Sequence, residues 1–92
     1  MAKRRRKGLG SSAAEHNKYG VRAAYSTIAY SSDASRAANA GKCGIALERL
    51  LRAAASYGTH MAHTESATTN HNREAAHNLS TATDHYKRAC LR

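Results

Sequence analysis

The residues best suited to chemistry are histidines, and five of the six lie in the last third of the chain. Histidine binds zinc and titrates near pH 6.5. On one helix these five would form a stripe about 120° wide. A zinc site needs further donors converging on the same point, and no neighbouring segment offers obvious ones. We therefore expect no metal site but a hydrated or partner-facing stripe, with a pH-responsive contact to phosphate or an acidic surface as the alternative. The stripe consists of His60, His63, His71, His77 and His85.

Catalytic patterns are weak throughout the chain. Ser, His and Asp all occur, but without a nucleophile elbow or a glycine-rich phosphate loop. Gly41-Lys42 lacks the rest of a Walker motif. The two cysteines, Cys43 and Cys90, stand far apart without a CxxC or a metal-site spacing, which argues against a disulfide scaffold and favours a reducing compartment. We expect a protein that is not an enzyme and binds no cofactor.

Positive charge is concentrated at the N-terminus. The net charge is +9, and residues 3–7 are all Lys or Arg. Basic runs of this kind contact polyanions, above all nucleic acid, although a solvated tail is the plain alternative. Tyr19, Tyr25 and Tyr30 follow and could stack on bases of a single strand, with core packing preferred for Tyr25. The predicted nucleic-acid-binding residues are Lys3, Arg4, Arg5, Arg6, Lys7, Lys18, Arg22 and Arg36.

The pattern of caps and glycines predicts an all-α fold in which a flexible basic arm (1–11) precedes one small helical domain (12–92). Ser12 and Glu15 fit a capping box that starts a first helix over 12–40, with a break near 30–33 as the main uncertainty. Gly41 and Gly58 are expected to stop helices. The second helix is therefore predicted over 43–57 and the third over 60–90.

The core should be thin, because the chain has no Phe or Trp and is rich in alanine. We expect the leucine face of the second helix to be the packing centre. We also expect a seam that repeats every seven residues to lie along the third helix, formed by Met61, Thr68, Ala75, Ala82 and Ala89. Such a body needs a partner or copies of itself to become ordered. No transmembrane span or signal peptide is evident, which favours synthesis in the cytoplasm and no membrane contact. The predicted partner or packing face comprises Leu47, Leu50, Leu51, Tyr57, Met61, Leu79 and Tyr86.

The order KRRRKGLGSS, then His16, then GKCGIALERLLRAAASYG resembles short basic proteins of the microviruses, the tailless single-stranded DNA phages. The resemblance covers residues 3–58 and leaves out the histidine-rich third helix. It implies an internal virion protein whose basic arm lies on packaged DNA and whose remainder docks on the major capsid protein. Known proteins of that role are often shorter and less helical.

The leading hypothesis is therefore a structural virion protein that ties single-stranded DNA to the inside of a phage capsid without reading its sequence. One alternative is a DNA-binding transcriptional regulator, which would require sequence preference. Another is a helical assembly or scaffold module whose arm contacts acidic protein.

Overall fold

The computed structural model describes residues 13–63 and 70–91, with side chains from residue 18 onward. Within these ranges the fold is three helices and no strand, which confirms the predicted all-α class. The helices are α1 (Ala13–Asn39), α2 (Cys43–His63) and α3 (Asn70–Cys90). α1 packs against both of the others, and most extensively against α2. The predicted basic arm, the Ser12 cap and the side chain of Glu15 lie outside the described residues.

The junction between α1 and α2 lies at Gly41, where the sequence predicts that the first helix ends. Gly41 has a φ of +78°, the left-handed conformation that side chains with a Cβ rarely adopt. The Lys42 N–H donates to the Ala37 carbonyl at 2.8 Å, and the Gly41 N–H to the Ala38 carbonyl at 3.0 Å. This pair of bonds is a Schellman motif, so α1 ends one residue before the predicted limit. α1 is continuous through 30–33, where a break was considered.

Gly58 does not end α2, so the predicted boundary between the second and third helices is wrong. α2 continues through Gly58 to His63, and α3 starts only at Asn70 instead of at residue 60. The reason lies two residues further along α2. The fully buried His60 donates its Nδ1–H to the Gly20 carbonyl of α1 at 2.8 Å. Packing and a buried hydrogen bond outweigh the cost of a helical glycine, which is about 1 kcal/mol.

The core is built from small residues at coiled-coil spacing. Six of the eight buried positions described in α1 alternate in steps of three and four residues, while those of α2 and α3 repeat every seven. Ala75 and Ala82 belong to the seam predicted for the third helix, whereas Met61 of that seam is exposed in α2. A buried alanine methyl contributes only about 0.8 kcal/mol, well below a buried leucine. Small side chains instead let the helices approach closely. The buried stripes are Gly20, Ala24, Thr27, Ser31, Ala34 and Ala38 in α1, Ala46, Ala53 and His60 in α2, and Ala75 and Ala82 in α3.

The leucines of α2 are not the packing centre that the sequence suggested. Leu47 and Leu51 are 40% and 62% exposed. Leu50 is half-buried at the edge of the helix interface. The helix turns its alanines towards α1 because the facing stripe of α1 is itself made of small residues, and a row of leucines would hold the two backbones apart.

The cysteines pair, so the expectation that they do not is wrong. Cys43 and Cys90 form a disulfide with their Cα atoms 5.7 Å apart. The bond joins the start of α2 to the end of α3. Beside it, Tyr86 and Ala89 pack against a buried cluster of Ala37, Ala38 and Ala46. The antiparallel course of α2 and α3 brings together two residues that are 47 positions apart.

Candidate nucleic-acid interface

An open groove of about 480 Å³ lies between the first half of α1 and the second half of α2. α1 supplies side chains three and four residues apart, and α2 supplies a matching set, so one face of each helix lines the groove. Ala23 forms its floor. The side chains at its rim are aromatic, cationic, imidazole and hydroxyl groups. They are Tyr19, Arg22 and Ser26 from α1, and Ser56, Thr59 and His63 from α2.

Aromatic rings mark the end of the groove nearest to the start of α1. Tyr19 is 48% exposed. Its ring centroid lies 6.1 Å from that of the His63 ring, with the planes tilted by 58°. The two rings therefore lie side by side, and both line the groove.

Arg22 is the cation of the groove. It is exposed, and it takes part in no ion pair among residues 18–63 and 70–91. Lys18, one turn earlier, is exposed in the same way. Arg36, by contrast, is bonded to Asp33 and to Ser32 within its own helix. Of the three α1 cations predicted to contact nucleic acid, Lys18 and Arg22 are available, and Arg36 is already engaged.

The same edge of the bundle carries a second aromatic and cationic pair. The guanidinium carbon of Arg52 lies 6.0 Å from the centroid of the Tyr30 ring. The pKa of Arg52 is raised above its ordinary value, first by hydrogen bonding with Tyr30 and then by the charge of Glu48. Arg52 and Glu48 form an exposed ion pair at 3.5 Å. Arg52 was missed in the sequence, although Arg52 and Ser56 are spaced by four and belong to one helix face.

Tyr25 lies on the other side of α1, and the preference for placing it in the core is wrong. Its ring is 56% exposed. The ring meets His71 of α3 edge to face at 5.4 Å, and its hydroxyl is hydrogen-bonded to His71 Nε2 at 3.2 Å. The hydroxyl explains the position, because it reaches a polar partner while the ring covers the gap between α1 and α3.

The predicted histidine stripe does not exist as one surface, because it crosses a helix boundary. His60 and His63 belong to α2, whereas His71, His77 and His85 belong to α3. Their environments also differ. His60 is fully buried, His77 is exposed, and Nδ1 of His85 is hydrogen-bonded to Ser35 of α1 at 2.9 Å.

The residues of the predicted partner face do not form one surface, because some are exposed on α2 and others are half-buried. Leu47, Leu51 and Met61 are exposed on α2. Leu50, Tyr57, Leu79 and Tyr86 are half-buried between or beside the helices. The Asn72 amide connects two members by donating to the Tyr57 hydroxyl at 3.4 Å and to the Met61 sulfur at 3.1 Å. Thr68, which the alanine seam of the third helix included, lies outside the described residues.

Two searches within residues 13–63 and 70–91 gave negative results. No three His, Cys, Asp or Glu side chains are grouped as the ligands of a metal ion would be. None of the three helices has both the length and the apolar character that spanning a membrane requires.

Comparison with protein-family models, with curated proteins and with solved structures finds no match to this chain. The resemblance to microvirus proteins stays a prediction from the sequence.

Proposed function

We propose that the protein is a non-enzymatic structural component that binds single-stranded DNA through its basic arm and attaches it to a larger assembly, the inside of a phage capsid. The observation that supports this most directly is charge continuity. Five Lys or Arg residues precede α1, and the first two described cations of the helix, Lys18 and Arg22, are exposed without an ion partner in the described parts of the chain. In the sequence, positive charge thus continues from the arm into α1.

Binding by the arm should be electrostatic and independent of sequence. Arginine binds phosphate through two parallel hydrogen bonds and lysine acts as a point charge, and neither reads bases from the backbone. Five phosphate contacts on a single strand give a log–log salt slope of about −3.5. Affinity should therefore fall about a hundredfold between 50 and 200 mM salt.

The decisive variant replaces residues 3–7 with five glutamines, which keeps the length of the arm. Binding to a labelled oligothymidylate should weaken strongly and lose most of its salt slope, while helicity by circular dichroism stays unchanged. Deletion of residues 1–10 is the matched second form. Unchanged DNA affinity in both forms would contradict the proposal.

The exposed side of α2 is the proposed docking face for the capsid protein. Leu47, Leu51, Ala54, Gly58 and Met61 are spaced by four and three residues and carry no charge, which is typical of a helix surface that packs against another element. Leu51→Ser should abolish incorporation into particles without lowering the melting temperature. Ile45→Ser is the control, because Ile45 is also exposed on α2 but lies on a different face. Equal incorporation of both variants would refute this docking face.

Localisation is tested on particles. The protein should purify with intact virions and resist protease until the shell is opened; digestion in intact particles would place it elsewhere.

Preference for a specific duplex over a random one would favour the transcriptional regulator. Partner binding that survives nuclease treatment would favour the scaffold that contacts acidic protein.

A further inference from the structure

We propose that the groove between α1 and α2 is itself a nucleic-acid site, in which one unpaired base stacks on Tyr19 and the adjoining phosphate binds Arg22. This inference rests on the proposed function and deepens it, because it assigns contacts of the body in addition to those of the arm. It also supplies what the arm lacks, a means of distinguishing single strands from duplex.

The phosphate end of the groove is defined by Arg22 and the hydroxyl groups around it. The Arg22 guanidinium is exposed and makes no ion pair within residues 18–63 and 70–91, so its donors are available for a ligand. Ser26 and Ser56 face the same space from opposite helices. A guanidinium with two hydroxyl groups offers a phosphate both charge and several hydrogen-bond donors.

The base end of the groove is defined by Tyr19. Nearly half of its surface is open. The centroid distance of 6.1 Å and the 58° tilt leave no room for a base between Tyr19 and His63. The base would therefore stack on the part of the Tyr19 ring that His63 does not cover. Stacking on an aromatic side chain tolerates any base, in agreement with binding that is independent of sequence.

The groove leads on to the second pair, Tyr30 and Arg52. Tyr19 and Tyr30 are eleven residues apart on α1, a distance of about 16 Å along the helix axis. Arg52 lies beside the Tyr30 ring and is paired with Glu48, so the feature that recurs along this edge of the bundle is an aromatic ring and not a free cation. This repetition suits a strand that runs along the groove with more than one unpaired base in contact. Duplex DNA cannot use it, because its bases are already stacked on one another.

The full chain offers matched controls for each half of the site. Tyr25 is an exposed tyrosine on the opposite side of α1, and Arg36 is an exposed arginine of the same helix that is already paired with Asp33. We expect Tyr19→Ala and Arg22→Gln each to weaken binding of a labelled twelve-residue oligothymidylate about tenfold. Tyr25→Ala and Arg36→Gln should change it less than twofold.

Two further measurements separate stacking from charge. Tyr19→Phe keeps the ring and should retain the affinity of the original protein for the oligothymidylate. Tyr19→Ala should leave binding to a twelve-base-pair duplex unchanged, because that binding depends on the arm. Thermal melting of each variant establishes that the fold is intact before affinities are compared.

The outcomes distinguish failure of the groove from failure of the proposed function. If replacement of residues 3–7 by glutamine abolishes binding while Tyr19→Ala and Arg22→Gln have no effect, the arm acts alone and the groove assignment is overturned. Equal losses for Tyr19→Ala and Tyr25→Ala, or for Tyr19→Ala and Tyr19→Phe, also overturn it. If no variant, including the glutamine arm, changes the affinity, the proposed function itself fails.

Discussion

The disulfide between Cys43 and Cys90 should supply most of the stability of this small domain. The bond closes a loop between positions 47 residues apart. A loop of that length restricts the unfolded chain by about 4 kcal/mol at 25 °C. A chain of 92 residues typically has a total stability of about 5–14 kcal/mol, and a core of alanines favours the low end. The reduced protein should therefore be only marginally folded.

The perturbation is reduction of the native protein, together with the double variant Cys43→Ser, Cys90→Ser. At about 4–8 °C per kcal/mol for a domain of this size, the melting temperature should fall by about 16–32 °C. Circular dichroism at 222 nm measures it with and without a phosphine reductant. The double variant is its own control, because the reductant should have no effect on it.

A fall of less than about 5 °C in both the reduced protein and the double variant would refute the reasoning. It would mean that the alanine seams hold the three helices together without a covalent link. A free-thiol assay of the untreated protein should show no reactive thiol, and two reactive thiols would refute the pairing itself.

The remaining predictions concern packing and backbone conformation, and both are measured by urea unfolding. Ala53→Leu inserts bulk into a fully buried position of the α1–α2 interface and should destabilise the protein by about 1–3 kcal/mol, whereas Ala54→Leu, on the exposed face, should change stability by less than about 0.5 kcal/mol. Equal effects would show that the helices do not approach closely at Ala53. Gly41→Ala should cost about 1–2 kcal/mol because of its positive φ, whereas Gly58→Ala, in a helix interior with open space around its Cβ position, should stabilise by about 1 kcal/mol. The same sign for both glycines would contradict the helix end at Gly41.

Helix positions were predictable where a backbone signal acts locally. Gly41 adopts the left-handed conformation that stops α1 within one residue of the predicted limit. Gly58 gave the same signal and failed, because its neighbour His60 makes a buried contact with Gly20, forty residues away. A contact of that range leaves no trace in the local pattern.

The core and the disulfide were harder to predict for two different reasons. Hydrophobicity gives most weight to leucine, so the Leu47 and Leu51 face looked like the interior of α2. In the structure, the size of a side chain decides whether it fits between α1 and α2. Ala53 is buried because the facing side of α1 is lined with small residues. Sequence distance likewise says nothing about Cys43 and Cys90, since an antiparallel pair of helices brings such ends together.

Half of the candidate interface was visible in the sequence. Tyr19, Arg22 and Tyr30 were identified from their proximity to the basic arm. Their partners on α2, His63 and Arg52, were assigned to the histidine stripe or to the outward face of the helix. These residues of α1 and α2 come to lie along one edge of the bundle only because α2 packs antiparallel to α1.

The disulfide also determines how the protein would bear a mechanical load. Cys43 and Cys90 make residues 43–90 a closed covalent ring, from which α1 and the arm extend. If a protease cleaves one peptide bond between residues 43 and 90, the disulfide still joins the two fragments. If the arm binds DNA as proposed, tension on that DNA would reach the protein through α1. The ring cannot lengthen, so α1 would detach from its small-residue contacts first. In the proposed assembly the ring would stay docked on the capsid protein through Leu47 and Leu51. α1 would then be the part of the protein that can detach while the arm remains on the DNA.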